Sequence, residues 1–587
     1  MPTYANWDIQ EMPLRSPFFH KQVNNFLAAN GLRLEEVDLY LAVLNDRGEI
    51  LAGGGFSKDI IKCIAVAPEA RSEGLAAPLV SRLMAEASAR GIHNLKVFTK
   101  PENQAIFESL GFKLLASAPK AILMEKGRGL AQYLDYLRSQ RRSGRSGVIV
   151  MNANPFTLGH KYLIDKASEQ VDNLFIIPVK EDCSYFPYEE RLAMIQSSVI
   201  AGHNAPVIVL SGSDYVISAA TFPTYFLKDL SDAAETQMML DLDLYSRWIA
   251  PALDATVRFV GSEPTDPLTA RYNQLIPGAV VIPRLETSHA VSASAVREAL
   301  RLGHFAAASA LCPRTSWPYL LAALAERALR LELETPLKPG LVCPGTSGAH
   351  KDMDEALMLK GLAAIRPYWS RMALAGSEEE LRQLGIDAET AMLAATGGVN
   401  THRGAIFALG LTLYAFLSGR QLADTQPLLS KGVHLAVHRL FGNSLADSSL
   451  RASRPEGVKG ARQMAEDGYR PLFEDWLPYY RAVKGAASSD ETSRQMLLLR
   501  IMSTLDDTCV IKRVGYERAQ AVKQEAQALL QEMAGPAGHD VEKAGQGVMP
   551  GWTGHLREMC DRYAAEGISP GGAADMLALT IFIDSIL

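Results

Sequence analysis

The clearest chemistry in the chain stands at a strand-to-helix turn. In VIVMNANPFTLGHKYLIDKA, an apolar run ends at Asn152–Pro155 and a helical pattern begins near His160, which leaves Asn154, Thr157, Gly159, His160 and Lys161 at the turn. Parallel α/β sheets bind ligands at the carboxyl ends of their strands, and a helix N-terminus offers free backbone N–H groups to anions. Gly159 permits close approach of a phosphate, and His160 can donate a hydrogen bond to charge developing at an α-phosphate and its leaving pyrophosphate. A core histidine is the plainer reading, but the position in the turn favours a site. A distant second element, SHAVSASAVREALRLGHF, sets Ser292 and Ser294 ahead of a helix carrying Arg297, a suitable anion clamp. Between the two lies FVGSEPTDPLTARYNQ, where Glu263 and Asp266 can meet ribose hydroxyls or magnesium and Arg271 can meet phosphate; a solvated loop explains them equally well.

A second group of polar residues interrupts apolar helical sequence. TPLKPGLVCPGTSGAHKDMDEALML presents His350, Lys351, Asp352 and Asp354 just ahead of a helix. ATGGVNTHRGAIFALG places Asn400, His402 and Arg403 at a similar position, and STLDDTCVIKRVG puts Asp506 and Asp507 beside Thr508. Neighbouring carboxylates in apolar surroundings are costly unless paired or bound to metal, and oxygen ligands suit magnesium carrying a triphosphate. Capping or surface ion pairing accounts for any one island; three together point to phosphate and Mg2+ handling, with Asp352, Asp354, Asp506 and Asp507 as the metal candidates. Near the N-terminus, CIAVAPEARSEGLAAPLVSRLMAEA sets Arg71, Gly74 and Ala76 between a strand and a helix, where small residues let backbone N–H groups approach a pyrophosphate. Close packing of strand and helix would also require them.

The elements that must position these residues fall into distinct textures. Residues 1–126 alternate strand and helix patterns, with Gly53-Gly54-Gly55 read as a turn. Residues 127–146 are basic, helical at first and broken by Gly and Ser at the end, as expected of a linker helix. Residues 147–313 read as strands separated by helices, a parallel sheet with right-handed crossovers. Residues 314–587 carry long helical patterns and few strands, an all-helical domain. A chain of 587 residues exceeds the usual domain of roughly 100–200, so several cores are expected. The 59 basic and 65 acidic residues leave a net charge of −6, which gives no general attraction for nucleic acid or an anionic membrane. Six scattered cysteines form no CxxC pair, so neither a disulfide framework nor a zinc site is indicated. The first residues do not read as a signal peptide, and apolar runs such as Leu577–Ile583 fall short of the ~20 residues that span a bilayer, so a cytoplasmic enzyme is expected.

Three resemblances give these patterns a meaning. The first segment resembles the GNAT acetyltransferases through Arg71, Gly74, Ala76, Asn103, Gly111 and Phe112; that implies a fold and a possible hold on a CoA-like arm, with no sequence signal for a catalytic base. Thr157-Leu158-Gly159-His160 resembles the (His/Thr)-x-Gly-His signature of nucleotidyltransferases. The longer MNANPFTLGHKYLI is similar to the acetate ligases of citrate lyase. This implies a Rossmann-like domain in which acetate attacks ATP to give acetyl-AMP, and a thiol on an acyl carrier subunit then takes the acetyl group. Thr157, His160, Lys161, Ser294 and Arg297 would carry the catalysis, with Asn154, Gly159 and Ser292 on the nucleotide.

KPGLV–GAHKDMD, TGGVNTHRGAIFALG, TLDDT and SPGGAADMLALTIF resemble the triphosphoribosyl-dephospho-CoA synthases, including those of malonate decarboxylase systems. The resemblance implies transfer of the triphosphoribosyl part of ATP to the 2′-hydroxyl of dephospho-CoA, with release of adenine. Lys351, His402 and Arg403 are then assigned to phosphate, His350, Asp352 and Asp507 to the reaction itself. Malonate decarboxylase maturation, and a CoA-binding scaffold with one inactive domain, are the alternatives.

Overall fold

The computed structural model describes residues 8–181, 184–200, 202–216, 230–262, 267–285, 291–419, 426–441, 458–485, 487–534 and 551–587. Glu263 and Asp266 lie outside them. The chain divides into two compact units, 1–291 and 292–587.

The first unit is built on two sheets. The strands β1 (Ile9–Glu11), β2 (Leu39–Leu44), β3 (Ile50–Ser57), β4 (Ile60–Val66), β5 (Leu95–Thr99), β6 (Lys113–Ser117) and β7 (Ile122–Lys126) form one sheet in the order β1-β2-β3-β4-β5-β7-β6. Of its neighbours only β4 and β5 are parallel, and they pair only at Ile60–Lys96 and Ile61–Val97. The glycine run expected to turn the chain instead lies inside β3. Tyr40 crosses it so closely that a Cβ at Gly53 would stand 2.6 Å from the Tyr40 hydroxyl, so the glycines serve side-chain packing rather than a bend.

The second sheet comprises β8 (Ser146–Met151), β9 (Asn173–Pro178), β10 (Val207–Val209), β11 (Ala255–Gly261) and β12 (Val280–Ile282), all parallel, in the order β10-β9-β8-β11-β12. From β8 the chain fills one side of the sheet, then returns to fill the other. The carboxyl end of β8 is therefore a topological switch point, where a crevice opens because the flanking connections diverge.

The helix Gly129–Ser139, expected as a connector, is a core element. Leu130, Leu134 and Leu137 are buried in one apolar cluster with Phe98, Leu115 and Leu123 of the first sheet and Val148, Phe175 and Ile177 of the second. Buried Glu125 binds the Leu130 N–H and the Tyr215 hydroxyl, and Trp248 Nε1 donates to the Leu115 carbonyl at 2.8 Å.

Helices make up most of the second unit's described residues, with no named strand among them. Its centre is the helix Gly571–Ile586, apolar nearly all round and therefore stable only when enclosed. The helices Trp317–Glu334, Arg403–Gly419 and Asp490–Thr504 pack around it. The helices Ala293–Leu302 and Phe305–Ala310 belong to this unit because they pack on Trp317–Glu334, so the compact boundary lies earlier than the change of sequence texture at 313. After Glu334 the chain forms a buried loop, fastened by Arg494 Nε to Thr335 Oγ1 at 2.8 Å and by Gln495 Nε2 to the Pro336 carbonyl at 2.7 Å.

Candidate active sites

At the switch point, Thr157 caps the helix Leu158–Ser168 and His160 completes a capping box with it. The Thr157 backbone N–H donates to His160 Nδ1 at 3.0 Å, and Thr157 Oγ1 lies 2.8 Å from the same nitrogen. A backbone N–H can only donate, so Nδ1 is the unprotonated nitrogen and the ring proton sits on Nε2. Burial, with Arg284 nearby, pushes the His160 pKa down to about 4. The ring is therefore a neutral hydrogen-bond donor at pH 7, oriented by its stacking on Phe156 at 5.6 Å. Such a group stabilises developing negative charge without giving up its proton.

Gly159 has no packing reason to be glycine. A Cβ there would meet Thr157 Oγ1 and Val291 at 3.6 Å, which is ordinary contact, yet glycine costs a helix about 1 kcal/mol against alanine. Its bare backbone suits close approach by a ligand. Asn154 Oδ1 accepts the Phe186 N–H at 3.0 Å and so shapes the rim of the crevice. Lys161 is ion-paired with Asp165 at 2.9 Å, one turn along the helix. Arg271 is exposed and pairs with Glu235 at 2.9 Å.

Two residues that carried no local motif support this crevice. Arg191 is fully buried and donates to the carbonyls of Asn152 (2.8 Å), Val179 (2.9 Å), Glu181 (2.7 Å) and Phe186 (3.1 Å), clamping the ends of β8 and β9 together. Arg284 donates to the Val291 carbonyl at 3.0 Å. Their partners are distant in sequence, so only the fold reveals them. In the second unit, Ser292 caps Ala293–Leu302 through the Ala295 N–H at 3.1 Å, and Arg297 Nη2 donates to Ser294 Oγ at 3.0 Å.

In the connection that follows β4, Arg71 is exposed, Gly74 is left-handed (φ 70°) with open space before its α-carbon, and Ala76 begins the helix Ala76–Ala89.

The helical unit encloses a cavity of about 1090 Å³. His350, Asp352, Asn400, His402, Arg403 and Thr508 line it, which brings the three polar islands together. His350 Nε2 lies 2.8 Å from Ser569 Oγ, with Arg513 Nη2 at 3.4 Å from Nδ1 and Asp352 at 3.7 Å; burial, then Arg513, lowers its pKa. His402 is buried beside Thr401 Oγ1 at 2.8 Å, and burial with nearby Lys338 lowers its pKa to about 4. Arg403 is ion-paired with Glu389, and its N–H is capped by Asn400 Oδ1 at 3.1 Å. Lys351 is exposed and outside the cavity lining.

The four carboxylates expected to share a metal do not converge. Asp354 caps the helix Glu355–Leu374 through the Leu357 N–H at 2.8 Å. Asp506 is paired with Lys523 at 2.8 Å. Asp507 is buried with Oδ1 on the Cys509 and Val510 N–H groups and Oδ2 on the Ala573 N–H. Only Asp352 remains exposed at the cavity, and among the described residues no cluster of three or more His, Cys, Asp or Glu fits a metal ion. Adjacency in sequence misled here: Asp506 and Asp507 face different neighbours.

The cavity also holds groups missed in the sequence. Glu332 is buried and tied to buried Lys338, while Lys512, Arg513 and Asp575 complete the lining. The phrases KPGLV and SPGGAADML contain Lys338 and Asp575, and the presence of a charge amid apolar residues was the available signal.

Residues 318–587 match the family described as ATP:dephospho-CoA triphosphoribosyl transferase, 146–320 the citrate lyase ligase C-terminal domain, and 4–112 the acetyltransferase (GNAT) family. Citrate (pro-3S)-lyase ligase from Haemophilus influenzae is 39% identical over 316 residues, covering 51% of this chain and 94% of that protein. The Klebsiella pneumoniae ligase is 39% identical over 316 residues, 51% of this chain and 92% of that protein. A probable 2-(5''-triphosphoribosyl)-3'-dephosphocoenzyme-A synthase from Pseudomonas syringae pv. syringae is 37% identical over 279 residues, 45% of this chain and 91% of that protein.

Proposed function

Since the chain belongs to the citrate lyase ligase family through its N-terminal half and to the triphosphoribosyl-dephospho-CoA synthase family through its C-terminal half, we propose that it both makes the precursor of a thiol-bearing prosthetic arm and acetylates the finished arm. It is a bifunctional enzyme of citrate lyase activation, a ligase joined to a transferase.

In the ligase reaction, acetate attacks the ATP α-phosphate, pyrophosphate leaves, and the thiol of the acyl carrier subunit displaces AMP from acetyl-AMP. The observation that carries the residue assignment is the Thr157 N–H held on His160 Nδ1, which leaves an uncharged Nε2–H donor at the switch point. Gly159 supplies clearance for phosphate; Ser294 and Arg297 keep their sequence-based assignment to phosphate. Lys161 takes part after exchanging Asp165 for phosphate. The GNAT-like sheet is assigned to the carrier's pantetheine arm through Arg71, Gly74 and Ala76.

In the transferase reaction, Lys512, Arg513 and Arg403 meet the triphosphate while His350, bonded to Ser569, meets the attacking 2′-hydroxyl. Magnesium is proposed to arrive with the nucleotide, because the expected carboxylates do not form its shell. Both reactions draw on cytoplasmic ATP, and the transferase reaction also on dephospho-CoA.

The test is separation of the two activities. His160→Ala should abolish acetate-dependent AMP formation and spare adenine release from ATP and dephospho-CoA; Arg513→Ala should do the reverse. Loss of both activities in either variant would refute the assignment. Acetylation of a malonate decarboxylase carrier alone would transfer the enzyme to that system.

A further inference from the structure

We propose that Asp575 is the acid that protonates the departing adenine in the transferase cavity. The proposal rests on the triphosphoribosyl-transfer reading of that cavity.

Asp575 lies on the central helix Gly571–Ile586 and lines the cavity, with its carboxyl buried. It is seated against the start of the helix Arg403–Gly419, where the Ala405 N–H donates to it. Gly404 makes that seat possible: a Cβ there would stand 1.9 Å from Asp575 Oδ2. The glycine of THRGA thus serves to admit a carboxyl rather than to bend the chain.

The surroundings disfavour the charged form of this carboxyl. Glu332 comes from the helix Trp317–Glu334 and is already matched by Lys338 of the following loop. Asp507, at the cap of Thr508–Val514, spends both oxygens on backbone N–H groups. Neutral His402 faces the site from the start of Arg403–Gly419, and Cys509 from Thr508–Val514. Tyr469 brings a buried hydroxyl without a hydrogen-bond partner, on a residue held at φ 53°. Two acids and one committed cation give Asp575 no counter-charge of its own. Burial, then Glu332 and Asp507, raises its pKa well above the carboxylate range. A carboxyl whose charged form is disfavoured by its surroundings is suited to donate a proton.

The step balances within the two substrates. The C1′–N9 bond of ATP breaks and its electron pair goes to adenine, which takes the Asp575 proton. The 2′-oxygen of dephospho-CoA bonds to C1′, and its proton restores Asp575 to its acid form. Glu332, ionised beside Lys338, faces the positive charge that develops on the sugar.

The experiment compares ATP with N7-methyl-ATP, whose cationic base leaves without a proton. Asp575→Asn should lower base release from ATP by about 10²–10⁴-fold and leave release from N7-methyl-ATP nearly at the parent rate. An equal loss on both substrates, or full activity on ATP, overturns the proposal. The pH profile provides a second arm. Parent kcat should fall as pH rises through the acid's pKa, Asp575→Glu should shift that limb, and Asp575→Asn should remove it. A parent profile without the limb, or one unmoved in Asp575→Glu, also overturns it. Acetate-dependent AMP formation reports that the variant chain is folded in its first unit, and the melting midpoint reports on the second. If the parent releases no adenine from ATP and dephospho-CoA, the transferase reading itself fails, an outcome distinct from these.

Discussion

Asp507 accepts the Ala573 backbone N–H at 2.8 Å across 66 positions of sequence, while its other oxygen caps its own helix through Cys509 at 2.8 Å. One carboxylate therefore holds the N-termini of Thr508–Val514 and Gly571–Ile586 together. Gly572 gives it room, since a Cβ there would lie 3.1 Å from the carboxyl.

Asp507→Ala strands buried N–H donors and should cost about 3 kcal/mol; Asp507→Asn, which keeps one acceptor oxygen, should cost less. Urea unfolding followed alongside adenine release checks this. Adenine release lost at an unchanged unfolding midpoint would return Asp507 to the chemistry.

Gly159→Ala should stabilise the first unit by up to about 1 kcal/mol, because the added methyl meets only ordinary contacts and removes a helix glycine. The same methyl intrudes on the proposed phosphate path. Higher melting temperature combined with at least a tenfold rise in KM for ATP is the expected pair of results; an unchanged KM would show that the space before Gly159 holds no ligand.

His402 has a folded pKa near 4 against about 6.5 for a free imidazole. Above pH 6.5 neither folded nor unfolded chain protonates it, and its contribution to stability is complete. Between pH 6.5 and 4 the unfolded chain takes the proton first, so stability falls by up to about 3 kcal/mol. Below pH 4 both states are protonated and the loss levels off. His402→Gln should flatten this part of the stability profile, as read by the unfolding midpoint of the helical unit at pH 5 and pH 7.

Arg191→Lys should destabilise the first unit by roughly 3 kcal/mol, since an ammonium cannot span the carbonyls that the guanidinium joins. Acetate-dependent AMP formation should fall with it, and melting curves of parent and variant would show whether the losses coincide. Retention of both would mean the clamp is dispensable.

What the sequence revealed and concealed follows from distance along the chain. The turn around Thr157 and His160 is local: an apolar strand, a glycine and a capping threonine suffice to read it. Helical texture likewise exposed the second unit. The carboxylates of that unit were misjudged because a cap such as Asp354 and an anchor such as Asp507 have the same local appearance as a metal ligand. Their partners, and those of Arg191 and Asp575, come from other elements. The helix Gly129–Ser139 was hidden differently: its exposed residues include polar Gln132, Asp135 and Arg138, and the three leucines that bury it are too few to distinguish a core helix from a surface connector.

That helix makes the two sheets a single thermodynamic object. Leu130, Leu134 and Leu137 need apolar cover from both sides, so cutting the chain near Gly127 would bare a face of the remaining half. The acetyltransferase-like sheet consequently acts as a fold-maintaining part of the ligase whether or not it turns over any substrate, and damage within it would surface as loss of a reaction performed elsewhere.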